Sequence, residues 1–396
     1  MTKSISYIID PDGDFEVLLK QPNSHKLVPY VPSDESEDPM NKSTVARGSL
    51  HEKYHVFDDL LSPAQDEKEE DPGLPGTKLC HWLSKALSTT ETPSTSEAGT
   101  PPEDEVHMRV SSRHLNLASR VFRTLSQGLW AEASSTSLHF GNPLRQITAV
   151  DWDAVALAIV LDIIHGRHGN VPRVVDLRLM THIATIVDFY ECHEVVKIFS
   201  ETWYKNMSTE FEDEYSHETL LWLSVSWVLP NQEVFDRAAQ AILKHMDGRQ
   251  LSADNLPLHE VLPKIEEKRL ELINQIVRKF YDLLDTLPDS DYSCDWHKFG
   301  SPTCDSIALS ILVRELDRLG SSDRRLVAPF NGYSITSLIQ LVNDIPESIA
   351  ATTEEYDHYH DVSVCSVRGR MRHVLGDVKA KMSVWTLDLD KNVRGD

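Results

Sequence analysis

The sequence is short of several features, and each shortage excludes a class of protein. Only 5 of its 396 residues are cysteine, an odd number scattered along the chain, so we expect reduced thiols and no disulfide framework. The longest uninterrupted apolar run, Ala154–Leu161, has eight residues, whereas a membrane-spanning helix needs about 20. No apolar stretch of the signal-peptide kind follows Met1. We therefore expect an intracellular protein of the nucleus or the cytoplasm, with no membrane partner.

Positive charge is also in short supply. The chain has 39 Lys and Arg against 62 Asp and Glu, which gives a formal net charge of −23. A surface of this sign repels nucleic acid. Three small basic clusters exist, but none is interleaved with aromatic residues as a platform for stacked bases would be: Arg167–Arg173, Arg324–Arg325 and Arg368–Arg372. We therefore expect no nucleic-acid partner.

The common catalytic and phosphate-binding motifs are missing as well. The sequence contains neither G-x-G-x-x-G nor G-x-x-x-x-G-K-[ST], and no G-x-S-x-G elbow, H-E-x-x-H helix or protein-kinase signature. These absences predict a protein that is not an enzyme, with no cofactor and no small-molecule substrate. An enzyme built in the helical half is the disfavoured alternative, and it would need a deep polar pocket with perturbed carboxylates or histidines.

Proline and acidic residues concentrate in one segment, residues 22–104. It holds 10 of the 20 prolines, 17 Ser and Thr, and 16 acidic against 7 basic residues. Because little apolar surface is available there to offset the entropy of ordering, we predict a disordered insertion. Two apolar islands interrupt it, Tyr54–Leu61 and Leu79–Leu87. Such an island is either a docking peptide, for a partner or for the chain's own body, or a transient helix with no role.

Short strands are predicted on both sides of this insertion, and helices dominate after it. Ser6–Leu19 is typical of a β-hairpin about the turn pair Asp12-Gly13, and Val106–Val110 alternates like a half-buried strand. A helix capped by Ser111 or Ser112 follows, then a weak strand near residues 137–140. A buried helix opened by Asp151 or Asp153 ends at Gly166, and further helices are predicted at 176–190, 194–206, 217–229, 231–246, 258–287, 305–319, 334–344 and 366–386.

Four residues of the C-terminal half are candidates for a metal site. Cys294 and His297 have the spacing of a zinc-finger pair, and Cys304 and Cys365 are further thiols of the same region. No second close pair in a fixed frame accompanies them, so we favour the interpretation that they are reduced cysteines packed as small apolar residues. A zinc-stabilised structural or scaffold protein, with its site over about residues 294–373, is the second hypothesis.

Two motifs flank the insertion. Before it, Gly13–Leu19 opens a strand on an Asp, and after it Met108–Phe122 runs from a strand into a helix. Within the second motif a leucine is followed by a serine four residues later and a phenylalanine three beyond that, at Leu115, Ser119 and Phe122. These motifs resemble the first strand, second strand and first helix of the BTB/POZ family.

Later motifs extend the resemblance. Asp153–Gly166 resembles the family's helix that closes on a glycine, and Asp176–Cys192 resembles its last helix pair. The residues of these motifs are similar in sequence to the BTB proteins abundant in filamentous fungi. The resemblance implies an α+β fold, a small BTB/POZ-like sheet capped by helices, followed by a mostly α-helical C-terminal region. It divides the chain into a first hairpin (1–21), the acidic insertion (22–104), the remainder of the BTB/POZ domain (105–205) and an α-helical C-terminal domain (206–396).

The resemblance implies protein binding, by self-association or by docking a cullin scaffold so that other parts of the chain offer substrates for ubiquitination. Adaptors of the second kind often carry an apolar-x-Glu triplet between their first helices and third strand, where Trp130 and Glu132 stand here. For self-association the candidates lie on the first helix, and they are otherwise ordinary core residues: Leu115, Leu117, Val121 and Phe122. We therefore expect a non-enzymatic protein-interaction module, partnered by a cullin scaffold or by a second copy.

Overall fold

The fold combines one β-sheet with many helices. The computed structural model describes residues 3–27, 50–60, 104–127, 136–249, 253–288, 303–318, 325–346 and 365–389. Within these ranges the architecture is mixed α and β, and the C-terminal region is mostly helical, as predicted. The chain divides into two units, the first made of residues 1–25, 51–117 and 122–170 and the second of residues 26–50, 118–121 and 171–396. No helix in the described ranges is long and apolar enough to cross a bilayer.

The first unit is built on a five-stranded sheet. Its strands lie in the order β1-β3-β2-β5-β4. β3 pairs antiparallel with β2, whereas the pairs β1–β3 and β2–β5 are parallel. The sheet therefore joins strands from both sides of the acidic insertion. The strand bounds are β1 Ser4–Ile8, β2 Phe15–Lys20, β3 Glu105–Val110, β4 Thr136–Ser137 and β5 Leu144–Val150.

The predicted hairpin over residues 6–19 does not form. Both strands are present, but β3 lies between β1 and β2 and pairs with each of them. The turn itself is real, and Gly13 is required there because β3 passes so close. A Cβ added at Gly13 would lie 2.4 Å from the carbonyl oxygen of Val110, a distance that no side chain tolerates.

Strand β5 is absent from the sequence predictions, and the strand expected near residues 137–140 is reduced to the two residues of β4. In β5, Leu144, Ile147 and Ala149 are buried, while Arg145 and Thr148 are exposed. The alternation of buried and exposed residues is interrupted at position 146, which is half-buried, and this weakens the period-2 pattern by which a strand is predicted. β-Branched residues over 147–150 are the local feature that favours a strand here.

Part of the insertion is ordered, so the prediction of disorder over residues 22–104 is wrong for residues 22–27 and 50–53, whereas residues 54–60 belong to an island that this prediction excepts. Glu52–Phe57 forms a 3-10 helix whose Tyr54 and Phe57 are buried. Of the two alternatives for the island Tyr54–Leu61, docking on the chain's own body is confirmed, since its side chains pack within the first unit. The island Leu79–Leu87 lies outside the described residues.

Three helices accompany the sheet in this part of the sequence: α1 (Ser112–Ala118), α2 (Arg120–Gln127) and α3 (Ala154–Ile164). The single helix predicted after Ser111 or Ser112 is thus two helices that break at Ser119. α3 matches its prediction: Asp153 caps it by accepting from the amide of Ala156 at 2.8 Å, and it ends before Gly166, whose φ is +72°. Every residue of α3 except Val155 is buried, as an all-round apolar helix requires.

The second unit is helical and follows the predicted helix bounds to within about a turn. Several of its helices begin at a side-chain cap, including Asp176, Ser216, Asn231, Ser334 and Ser366. Its core is one continuous apolar cluster. The helices are α4 Leu177–Tyr190, α5 His193–Asn206, α6 His217–Val228, α7 Gln232–His245, α8 Val261–Thr286, α9 Thr303–Arg318, α10 Ile335–Asp344 and α11 Val367–Ser383.

Candidate functional site

Asp14, the residue immediately before β2, holds the beginning of α1. Its two carboxylate oxygens accept hydrogen bonds from the amide of Ser112 at 2.8 Å and from the hydroxyl of Ser112 at 2.7 Å. Partial burial alone would raise the pKa of the Asp14 carboxyl, but these hydrogen bonds lower it below its ordinary value of 3.8. The position of α1 is therefore fixed by a charged contact with the turn that precedes β2.

The three residues that carry the family-like spacing are all buried. Leu115 is 1 % exposed, Ser119 is 2 % exposed and Phe122 is fully buried. The Ser119 hydroxyl donates to the carbonyl of Tyr190 at the end of α4, which anchors the break between α1 and α2. Of the four candidates for a self-association face, Leu115 and Phe122 therefore take the core role that the sequence left as the alternative.

The other two candidates for self-association differ from these in exposure. Leu117 on α1 is 84 % exposed, the largest exposed fraction among the large apolar side chains of the described residues. Val121 on α2 is half-buried. A single exposed leucine is normal on a protein surface, so its exposure only leaves Leu117 as the one of the four candidates that is fully available to contact a partner.

The remaining candidates lie largely outside the described residues. Trp130, Glu132, Cys294 and His297 all fall in undescribed stretches, and Cys304 belongs to α9 but its side chain is not among those described. Cys365 is buried immediately before α11, and its carbonyl accepts from the Arg370 side chain at 2.9 Å. Among the described residues no group of three or more His, Cys, Asp and Glu side chains is placed to hold a metal ion.

A polar cluster on one face of the sheet is missing from the sequence predictions. Glu16 on β2 is fully buried, and its Oε1 lies 2.8 Å from His107 Nδ1 on β3 and 2.8 Å from Gln146 Nε2 on β5. The His107 ring stacks on His139, with centroids 3.6 Å apart and planes 2° from parallel. His139 Nε2 in turn lies 2.7 Å from the Ser6 hydroxyl on β1. Side chains of β3 and β5 thus contact one buried carboxylate of β2, and His139 and Ser6 extend the cluster from the His107 ring.

This cluster differs from a catalytic triad in its connectivity. In a Ser-His-acid triad one imidazole bridges the nucleophile and the carboxylate. Here the carboxylate of Glu16 contacts His107, the hydroxyl of Ser6 contacts His139, and the two imidazoles stack face to face. Removal of a proton from Ser6 is therefore not coupled to Glu16 through one ring. The arrangement instead ties neighbouring strands together through ionisable groups.

The ionisable groups of the cluster have shifted pKa values. Burial alone would raise the pKa of Glu16, but hydrogen bonds from His107, Ser137 and Gln146 lower it below its ordinary value of 4.5. Burial and the neighbouring positive charge of His107 lower the pKa of His139 below its ordinary value of 6.5, against a smaller opposing effect of nearby carboxylates. Both shifts favour the cluster at neutral pH, with Glu16 charged and His139 neutral.

An open depression of about 400 Å³ lies in the second unit. One of its lining residues, Phe211, stacks on Trp222 with ring centroids 5.9 Å apart, and the Arg237 guanidinium lies 4.6 Å from the centroid of the Phe211 ring. The carboxylates around it give the depression a negative lining. It is lined by Glu210, Phe211, Glu212, Glu214, Ser216 and Glu218.

Function has to be argued from these residues. In comparisons with known proteins, no protein-family model matches the chain and no curated protein matches it. Three structural observations bear on a role: the buried family-like spacing on α1 and α2, the exposed Leu117, and the ionisable cluster around Glu16.

The contrast between two leucines of α1 is directly testable. We expect Leu115→Ala to lower the free energy of unfolding by about 2–5 kcal/mol, because it leaves a cavity at a fully packed position. Leu117→Ala should change it by less than about 0.5 kcal/mol, because that side chain is largely in water. Urea denaturation followed by circular dichroism measures both, and equal effects would contradict the placement of the two residues.

The polar cluster predicts two separate losses of stability in acid. Because the folded-state pKa values of His139 and Glu16 are lowered, the folded protein binds fewer protons than the unfolded chain, and stability falls as the pH falls. The His139 contribution is lost below about pH 6.5, its ordinary pKa, and the Glu16 contribution below about pH 4.5. His139→Gln should flatten the first window and Glu16→Gln the second, as measured by urea midpoints from pH 7.5 to 3.5.

The two variants are compared with each other, since as the pH falls the His139 contribution begins to be lost near pH 6.5 and the Glu16 contribution near pH 4.5. Profiles that run parallel to the wild type over the whole pH range for both variants would show that the cluster does not couple protonation to folding.

Proposed function

We propose that the chain is a non-enzymatic protein–protein interaction module of the BTB/POZ type. The observation that carries this proposal is the pairing of the two motifs on either side of the insertion. Phe15 lies opposite Val110 in an antiparallel ladder that continues to Lys20 and Glu105, so the strands that the resemblance makes consecutive are neighbours in space. The buried spacing Leu115, Ser119 and Phe122 supports the same proposal, because each position serves the packing of this region.

The later elements support the proposal as well. β5 pairs parallel with β2, and the buried helix α3 follows it directly, capped by Asp153. α4, capped by Asp176, and α5 come next. The resemblance rests on the order of a hairpin, a strand, a leucine-bearing helix and then two buried helices after a short strand. The elements after the hairpin follow that order, with the leucine-bearing helix divided at Ser119, whereas the hairpin itself does not form. Such a fold functions by presenting surface.

The more specific form of the proposal is a substrate adaptor for a cullin-type ubiquitin ligase. Trp130 and Glu132 lie in the sequence between α2 and β4, the place where BTB adaptors of cullin ligases often carry an apolar-x-Glu triplet. Trp is enriched among the residues that dominate binding energy at protein interfaces. A large apolar ring beside a carboxylate gives both area and orientation to such a contact.

The adaptor proposal predicts a direct complex with the N-terminal domain of a cullin. The full-length chain should bind the purified cullin domain, and Trp130→Ala/Glu132→Ala should weaken binding at least tenfold, because it removes the expected anchor. Leu138→Ala is the matched control, since Leu138 is an apolar residue of the same part of the sequence, 72 % exposed. Biolayer interferometry measures all three.

The outcomes distinguish the general proposal, a protein-interaction module, from its specific form, a cullin adaptor. Binding by the wild type and the Leu138→Ala control, with loss in the double variant, supports the adaptor. Failure of the wild type to bind at tens of micromolar, or equal binding by all three chains, shows that the adaptor form is wrong and leaves self-association as the form of the interaction module to be tested.

Self-association predicts a specific effect at Leu117. We expect Leu117→Asp to weaken a homodimer at least tenfold, because it places a charge on the exposed apolar residue of α1, without loss of folding. Ile198→Asp is the matched control, since Ile198 on α5 is 67 % exposed. Sedimentation velocity over a hundredfold range of concentration measures the equilibrium, and a wild-type chain that stays monomeric throughout excludes this role for Leu117.

A further inference from the structure

Residues 51–60 form a small ligand-like segment inside the first unit. Tyr54, Phe57 and Leu60 are 1 %, 3 % and 5 % exposed. They are spaced three residues apart, and in a 3-10 helix residues at that spacing lie on one face. Val56, between them, is 40 % exposed. The segment therefore binds through one apolar face and leaves the other in water.

The surface that receives this face is made by β1 and α3. The Tyr7 ring of β1 contacts both Tyr54, at 6.2 Å between centroids, and Phe57, at 5.3 Å. Beneath them lies Asp162 of α3, which is fully buried. The hydroxyls of Tyr7 and Tyr54 both donate to its Oδ2, at 2.7 Å and 3.0 Å. Burial and the negative charge of Asp162 raise the pKa of both tyrosines, so both remain neutral donors.

The backbone of the segment is satisfied largely by itself. Its amide hydrogen bonds run from Tyr54 to His51, from Asp58 to His55 and from Leu60 to Phe57. The bond that reaches it from the rest of the unit is a side-chain bond, from the Lys3 ammonium to the Asp59 carbonyl at 2.6 Å. A helical turn that binds mainly through the side chains of one face is how short helical peptides occupy grooves on other proteins.

Two features make this segment exchangeable. It is followed and preceded in the sequence by residues 61–103 and 28–49, and a ligand that is part of the same chain competes at an effective concentration set by the chain between the ligand and its site. Its contact with Asp162 is also incomplete, because Oδ1 of this buried carboxylate accepts no hydrogen bond from the described residues. A ligand with one more donor at this point gains a bond that the tethered segment does not make.

We propose that the surface formed by β1 and α3 is a binding site for short helical peptides of the pattern Tyr-x-x-Phe-x-x-Leu, and that residues 51–60 occupy it as a tethered, displaceable ligand. The partner is a protein that carries this pattern in an exposed helical turn. The tyrosine hydroxyl of the peptide donates to Asp162, the phenylalanine ring three residues later packs against Tyr7, and the leucine completes the apolar face. The proposal does not depend on the role of Leu117 or on the cullin contact.

The test uses the full-length chain and a fluorescein-labelled peptide of residues 50–61. In the chain with Tyr54→Ala/Phe57→Ala/Leu60→Ala the site is vacated, so the peptide should bind saturably by fluorescence anisotropy. The wild-type chain should bind it at least tenfold more weakly, because its own segment competes.

Peptide variants test how the site reads its ligand. A peptide with Tyr54→Phe should bind the vacated chain about tenfold more weakly, since it lacks the hydrogen bond to the charged carboxylate. A peptide with Val56→Ala should bind as the parent does, because Val56 points away from the site. Equal affinity of the Tyr54→Phe and parent peptides would overturn the role of Asp162 in recognition.

The remaining outcomes are also decisive. If the vacated chain fails to fold alone but regains its circular dichroism spectrum on addition of the peptide, the site accepts its ligand in trans and the proposal stands. If the vacated chain is folded and binds no peptide, or is unfolded and the peptide does not restore it, residues 51–60 are a fixed part of the core and the proposal is wrong.

Discussion

The first unit depends on one long-range interaction, the antiparallel pairing of β2 with β3 across the acidic insertion. Lys20 and Glu105, the last residue of β2 and the first of β3, face each other in register, so the insertion leaves and re-enters the sheet at one point. Because β3 then runs between β1 and β2, Gly13 must approach it without a side chain. The same turn places Asp14 at the start of α1, so one strand pair sets the sheet order and the position of the first helix.

Two buried carboxylates secure this sheet, one on each face. Ser6 and Tyr7 are consecutive in β1 and so point to opposite sides; the Ser6 side carries the cluster around Glu16, and the Tyr7 side carries Asp162. Each carboxylate is bound by residues far apart in sequence. Burying a charge is costly unless hydrogen bonds compensate it, so each carboxylate stabilises one arrangement of its donors and penalises the others. Sequence-distant segments are thereby held in a defined register.

The sequence predicts the helices well and the sheet poorly, for a physical reason. A helix is a local structure, so the apolar period and a cap such as Asp153 or Asp176 fix its position within a turn. The partner of a strand is not local in sequence. The turn at Gly13 is predicted correctly, but no residue near it indicates that β3 lies between the two strands. The Glu16 cluster is missed for the same reason, because its members meet only through the strand register. Tyr54 is an intermediate case. The sequence shows that it belongs to an apolar island, but it does not show that the island packs on β1 and α3.

The position of the insertion determines how residues 51–60 can act. Loop-closure entropy grows only slowly with length, so a loop that closes on paired strand ends at Lys20 and Glu105 is tolerated whatever it carries. The docked segment contributes side chains to β1 and α3 and no ladder hydrogen bond to the sheet. Its departure therefore removes no ladder hydrogen bond, and the Tyr7 hydroxyl, which donates to Asp162 from β1, does not belong to the departing segment. Of the two donors to Asp162 Oδ2, one is thus part of the sheet and the other, Tyr54, is part of the docked segment.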